Sequence, residues 1–547
     1  MSGDEPLSFD LIDRPWLPAR TLDGRERELS LMEVFRQAHH LSGLAGDVPT
    51  QVFALTRLML AVLHRAVGGP CDVAAWERLW RARTLPVGEV ESYLSGHRAR
   101  YDLFDPVTPF FQVAGLRTDK GETSELSKLI ADVPNGLPFF TNRLGGRLSL
   151  SFAEAARWLV HCQAYDPSGI KSGAADDTRT KNGKGYPIGV AWSGQLGAVL
   201  PEGRTLRETL LLNLIPCGVG VIDRRHETDL PSWERAEAAV FHDESLPDRP
   251  PTGPVDLYTW QARRVRLFAD GGRVTGVLIC NGERITPQNK QTAEPHTAWR
   301  RSGAQEKKLG ARTVYMPREH EPEKAVWRGL QSLLPGGVDR PQDSDAAAFL
   351  SPEILEWLAQ AEEVIGDDYI VRLHTIGMVY GSQNSTTADI IDDVLSVHAV
   401  LLRHDAAHLA RTAVRCVEAS ERAASALGKL ARNLAAAAGS GKDEREAPRT
   451  RATELAYAEL DTRFRAWLAS LTADTDPESA ESRWHHTAAR AVRTLGQELV
   501  DAAPMTAWAG RVGDKRLINT PLAETWFHFE LRKAVPMAYP QESVAIP

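Results

Sequence analysis

The sequence predicts a mixed α+β region followed by an all-α bundle, and three observations carry that expectation. Short strand-like runs alternate with amphipathic helices over the first two-thirds of the chain, and from about Ser351 helical spacing takes over. Near that change stands an uncharged, amide-rich run, Val379-Tyr380-Gly381-Ser382-Gln383-Asn384-Ser385-Thr386. A small loop of this kind can part stacked bases while still offering them donors and acceptors. At 547 residues the chain has room for about two to four domains and at least one large core.

In chain order, Ser8-Phe9-Asp10-Leu11-Ile12 reads as a strand, and Ser30 to His39 and Val52 to Ala66 as amphipathic helices. Ser151 to Ala164 is a further helix. It opens on Ser151-Phe152-Ala153-Glu154, where the serine hydroxyl can serve the third amide and the glutamate can reach back. Arg264 to Phe268 and Val274 to Cys280 read as two strands joined by the turn Asp270-Gly271-Gly272. Ser351-Pro352-Glu353 predicts a helix start with proline at the first helical position, followed by Ile354, Leu358, Ala361 and Ile365 on one stripe.

Leu395 to Leu434 carries helical spacing almost throughout, with Leu427, Leu430 and Leu434 as its core face. A flexible charged loop is expected from Gly439-Ser440-Gly441-Lys442 through Pro448. Leu460, Phe464, Trp467, Leu468 and Leu471 then form another apolar stripe, with helices following from about Glu478 to Ala502 and from Leu522 to Lys533. Long helices joined by short loops predict a bundle whose stripes form its core. No internal repeat is evident.

Cys71, Cys162, Cys217, Cys280 and Cys416 are scattered without a CxxC pair, which speaks against a disulfide framework or structural zinc and for a reducing cytoplasm. The N-terminus lacks a signal-peptide pattern and no apolar run is long enough to cross a bilayer, so a cytoplasmic protein is expected. A net charge of -8 argues against a protein that coats nucleic acid unaided. Local basic faces remain. Between Arg284 and Lys308 stand Arg284, Lys290, Arg300, Arg301, Lys307 and Lys308 against Glu294 and Glu306, and Lys171, Arg179, Lys181 and Lys184 face Asp176 and Asp177. Without further context, the plain reading of either run is a solvated loop.

His404-Asp405 with His408 puts two histidines at helical i, i+4 spacing, with His374 upstream, so a metal-dependent phosphohydrolase or nuclease is one alternative. No glutamate adjoins His404, and spacing places no further carboxylate ligand. Adjacent His485 and His486 point to different helix faces. No GxSxG, P-loop or GxGxxG stands in the strand-to-helix setting that its chemistry needs. The other reading is groove recognition: glycine in Asp166-Pro167-Ser168-Gly169-Ile170-Lys171-Ser172-Gly173 removes side-chain bulk where backbone must approach base edges. A purely structural scaffold is a third reading.

Several motifs occur in a fixed order: Phe9-Asp10-Leu11-Ile12-Asp13-Arg14-Pro15-Trp16-Leu17-Pro18, Asp102-Leu103-Phe104 with Thr108-Pro109-Phe110-Phe111-Gln112, and Leu206-Arg207-Glu208-Thr209 with Leu211-Leu212-Asn213-Leu214. Trp260-Gln261, Pro295-His296-Thr297-Ala298-Trp299-Arg300-Arg301 and the Tyr380 to Thr386 loop follow. Together, from Leu7 to about Lys533, they resemble the CasA family, the large subunit of the type I-E CRISPR surveillance complex Cascade.

The resemblance implies an α+β N-terminal domain, 1–380, followed by an all-α C-terminal four-helix bundle that opens with the wedge loop, 381–547. It implies a non-catalytic subunit that needs no cofactor or metal and recognises a protospacer-adjacent motif in double-stranded target DNA. Its other partners would be the CRISPR guide RNA, the backbone and small Cascade subunits, and a helicase-nuclease effector. By that resemblance the base-parting wedge falls on Gln383, Asn384 and Ser385, and the minor-groove loop on Ser168, Gly169 and Ile170, before Lys171. A groove-facing lysine falls on Lys290, and a loop meeting the guide's 5′ end and neighbouring subunits on Phe140, Thr141, Asn142 and Arg143. The chain departs from the family in three places. Asn384 stands where glutamine is frequent, one glycine stands where other members have several, and only Cys280 remains of a cysteine cluster that some members carry.

Overall fold

The computed structural model describes residues 7–131, 148–175, 177–216, 220–222, 226–235, 249–335, 348–513 and 516–539. Two compact units emerge. One comprises Met1–Lys324, Arg340–Val364 and Val371–Val394, the other Ala325–Asp339, Ile365–Ile370 and Leu395–Pro547. The division expected at 380/381 falls in the turn of a hairpin formed by strands Ile370–Tyr380 and Thr387–His398.

In the first unit an antiparallel sheet places Leu17–Thr21 between Glu26–Leu29 and Leu41–Leu44. The strand expected at Ser8–Ile12 is instead a turn with one bridge, Asp10 to Asp102. Its physical cause is local: the Asp10 carboxylate accepts from the Ile12 amide at 2.8 Å, which bends the backbone away from a ladder. Helix Leu31–Gln37 begins at a complete Ser30/Glu33 capping box, and Pro49–Ala66 starts three residues ahead of Val52 because Pro49 suits the first helical turn. Phe152–Tyr165 has the expected Ser151/Glu154 capping box and buries Trp158, Leu159 and Cys162. The predicted hairpin is present as Arg263–Asp270 paired with Arg273–Asn281.

Beneath these elements lies a buried charge pair. Arg57 meets Glu294 at 2.8 Å and Trp192 Nε1 donates to the same carboxylate at 2.7 Å. Burial alone would raise the Glu294 carboxyl, but Arg57 and His296 outweigh it and hold it down at about 2. Glu294 is therefore a core group, not a counterweight on the basic surface.

Strand Ile370–Tyr380 lies between Ala198–Glu202 and Thr387–His398, with His374 opposite Leu200. Leu395 to His398, expected as helix, belongs to this sheet; Ile390, Ile391, Val394 and Val397 supply the β-branched side chains that favour it. Pro352 caps helix Glu353–Gln360 from outside rather than occupying its first position, and the stripe breaks at Ala361 before Glu362–Ile365.

The second unit is built on helices Ala407–Ala438, Glu446–Leu468, Pro477–Asp501 and Thr520–Ala534, the first of which packs against the other three. Leu427 and Leu430 are fully buried, and Phe464 sits against Trp484 with ring centres 5.0 Å apart. The loop expected through Pro448 is shorter. Gly439 ends one helix at φ 114°, and the next begins at Glu446 with Pro448 in its first turn, where no helical amide partner is lost. No described helix is long and apolar enough to cross a membrane.

Candidate nucleic-acid interface

The amide-rich turn is closed from within. The Gly381 amide donates to Thr386 O at 2.9 Å, the Asn384 amide to Gly381 O at 2.9 Å, and the Ser385 hydroxyl to Ser382 O at 2.9 Å. With the backbone satisfied, Gln383 and Asn384 adopt left-handed conformations, φ 56° and 54°. Asparagine tolerates that region; for glutamine it stores on the order of 1 kcal/mol. Ser382 to Ser385 are exposed, and neither the Gln383 nor the Asn384 side-chain amide is engaged by another described residue. The turn thus holds two free amides on a rigid base.

The second loop leaves the end of helix Phe152–Tyr165. Its footing is Asp166, whose buried carboxylate meets Arg263 Nε and Lys171 Nζ, each at 2.5 Å. The Arg263 guanidinium, 1% exposed, also donates to the carbonyls of Pro167 at 3.1 Å and Gly189 at 2.8 Å. One buried cation therefore joins the backbone that enters the loop to the separate segment at Gly189. Gly169 follows at φ 121°, which favours glycine, and a Cβ there would lie 3.7 Å from Ser385 Cβ. Ile170 is 60% exposed beside it. The structure thus brings the Ser168–Ile170 loop against the Gln383–Ser385 turn, although more than two hundred residues separate them in sequence.

Two lysines are placed differently from the expectation. Lys171 is largely buried, and its ammonium balances Asp166. Lys290 donates to Gln288 O at 2.9 Å, is half-buried, and has its pKa lowered by that burial; among the described residues no hydrogen bond or ion pair joins it to either loop. Nearby, Arg301 pairs with Glu306 at 2.6 Å while Lys307 and Lys308 are exposed. Phe140, Thr141, Asn142 and Arg143 lie outside the described residues.

The metal alternative loses its geometry. Helix Ala407–Ala438 begins after His404, so His404 and His408 do not share a helical face, and Arg403 pairs with Asp405. That arginine also binds Asp367, at 2.6 Å, and so ties down the short turn ahead of the helix. Among the described residues no cluster of three or more His, Cys, Asp or Glu could hold a metal ion.

Sequence reasoning missed the groups that position the site: Arg263, Asp166, and the hydroxyl of Tyr380, which donates to Tyr165 O at 2.7 Å. The strand read from Arg264 to Phe268 starts one residue past Arg263, and two adjacent arginines give no sign of which is buried or on what partner.

The family model for CRISPR-associated protein Cse1 matches residues 10–495. A curated relative, CRISPR-associated protein CasA/Cse1 of Thermus thermophilus, is 30% identical over 420 residues, 75% of each chain. The crystal structure of Thermobifida fusca Cse1 superposes with a TM-score of 0.91 at 47% identity, covering 98% of this chain and 100% of that one. A chain of a CRISPR RNA-guided surveillance complex shares the fold, with a TM-score of 0.68 at 21% identity over 97% of this chain and 100% of its own. With most of its length matched by the family model, the chain belongs to the Cse1 family, also called CasA, of CRISPR-associated proteins.

Proposed function

We propose that this chain is the non-catalytic, motif-reading subunit of a type I-E, RNA-guided surveillance complex. The adjacency of Gly169 and Ser385 carries the reading: a loop without a side chain at its glycine stands against a turn with two unengaged amides. Placed in a minor groove, Ser168, Gly169 and Ile170 would bring backbone to the base edges. Gln383, Asn384 and Ser385 would then enter the stack at the first target pairs. Parting those pairs costs a few kcal/mol per step, which stacking and hydrogen bonding by the turn would partly offset. Because exchange of DNA pairing for guide pairing is nearly balanced, a small bias at the start decides the outcome.

In this reading double-stranded target DNA is read beside the target, and the guide RNA reads the rest. Lys290 would contribute from the groove side once its ammonium leaves the Gln288 carbonyl. The C-terminal helices would act as a four-helix bundle that contacts the backbone and small Cascade subunits and the displaced strand, and whose rearrangement admits the helicase-nuclease. A net charge of -8 is compatible with this role because the guide-bearing subunits would supply most phosphate contacts.

The test is the double variant Gln383→Ala/Asn384→Ala in the reconstituted complex. Opening would be followed by fluorescence of a base analogue at the first target position. Slowed opening with assembly intact is expected, and an unchanged opening rate would refute the wedge.

A further inference from the structure

We infer that the Tyr380 hydroxyl is a positioning group that couples the groove-reading loop to the strand-parting turn; this rests on the function proposed above. Tyr380 is the last residue of strand Ile370–Tyr380, directly before the turn. Its hydroxyl donates at 2.7 Å to the carbonyl of Tyr165, the last residue of the helix from which the glycine loop departs. At the far end of both segments Gly169 lies beside Ser385, close enough that a Cβ on the glycine would touch it. The two segments are therefore tied at the base and adjacent at the tip.

Three further features show that the tie is built in. Gly194 lies under the Tyr380 ring, so close that an added Cβ would stand 2.0 Å from the hydroxyl oxygen and 2.9 Å from Cζ; only glycine leaves room for the ring in this pose. Burial pushes the Tyr380 phenol well above its ordinary pKa, which keeps the hydroxyl protonated as a donor. On the other side of the hydrogen bond the backbone is held as well: the Asp166 amide donates to Cys162 O at 3.0 Å, and the Asp166 carbonyl accepts from the Ala191 amide at 3.0 Å. A displacement of the glycine loop by a groove edge therefore meets a stiff helix end. The Tyr380 hydroxyl passes it to the strand that carries the turn.

Coupling through one neutral hydrogen bond predicts a specific pattern. Tyr380→Phe keeps the ring over Gly194 and removes only the donor. Reconstituted complexes should bind motif-bearing duplex with affinity within about twofold of the parent, while opening at the first target pairs slows about fivefold, the loss of one such bond. The ratio of opening rates between motif-bearing and motif-scrambled duplexes should narrow, an effect that general loosening of the fold would not produce at equal binding. The double variant Gln383→Ala/Asn384→Ala runs in parallel. If it opens duplex at the parent rate, the proposed function itself fails. If it is slow while Tyr380→Phe keeps both the parent rate and the parent ratio, the coupling is overturned and the proposed function stands. Should Tyr380→Phe lose affinity in proportion to rate, the hydroxyl serves binding alone and the coupling is again overturned.

Discussion

Raising the pH from about 6 to about 10 should remove one contribution to the stability of the sheet that carries the amide turn, and the group responsible is His374. Its Nδ1 meets Glu202 at 2.8 Å on one neighbouring strand, and its Nε2 meets Asp392 at 2.6 Å on the other. Arg372, on the same strand, also reaches Glu202, at 3.3 Å. Burial works against the charged imidazole, but the two carboxylates outweigh it and push the pKa from 6.5 up to about 9. Because the folded value is raised, the contribution is complete below about pH 6.5, declines between 6.5 and 9, and is gone above that.

Asp392 shifts the opposite way, lowered first by its hydrogen bond with His374, so its own share is lost only in acid, outside this window. A difference of about 2.5 pKa units at ~1.36 kcal/mol each gives an upper bound of roughly 3 kcal/mol. The Asp392 side chain is 49% exposed, and solvent screening brings the expected value to about 1–2 kcal/mol. The assay is urea unfolding of the parent and of His374→Gln across that pH range. The parent's advantage should shrink steadily as pH rises. An advantage that is flat with pH, or that grows, would refute the assignment of a charged imidazole between two carboxylates.

Two other perturbations test the packing that positions the site. Asp166→Asn leaves Arg263 and Lys171 facing a neutral amide in a buried setting and should cost about 3 kcal/mol, at the lower end of the range for such losses because Arg263 keeps its carbonyl acceptors; denaturant midpoints measure it, and a change below ~1 kcal/mol would show that the ion pair is not the footing of the loop. Phe464→Ala removes a fully buried ring that contacts Trp327, Trp467 and Trp484, for an expected loss of about 3–5 kcal/mol and a weaker near-ultraviolet dichroism signal, with motif discrimination unaffected in any complex that assembles.

Local signals in the sequence were legible wherever a short-range contact sets the structure. The Ser151/Glu154 capping box marked its helix start, the Asp270-Gly271-Gly272 turn marked its hairpin, and the uncharged run after Tyr380 marked the exposed turn. Periodicity failed where two patterns coincide: Leu395 to His398 satisfies helical spacing, yet it completes a ladder begun by Thr387. The same limit made His404 and His408 look like one face when the helix begins between them. The proximity of Gly169 to Ser385, and the Arg263 and Tyr380 side chains that arrange it, are products of long-range packing, and no spacing rule in a single chain encodes them. Resemblance to a family supplied the roles proposed for those loops; the residues by themselves read as turns.

The path of the chain through its two compact units has a practical outcome for dissecting the protein. Ala325–Asp339 and Ile365–Ile370 belong with the C-terminal helices, so the polypeptide enters that unit, leaves it and returns before Leu395. Trp327, from the first of these excursions, stacks on Phe464 at 4.5 Å and donates its indole N–H to Asp461 at 2.8 Å. A fragment cut to begin at Leu395 would lack that indole and bare the ring beneath it. Expression of the helical part alone should therefore yield sticky, poorly soluble material, and a permuted or linker-joined design that retains Ala325–Asp339 is the sound way to isolate it.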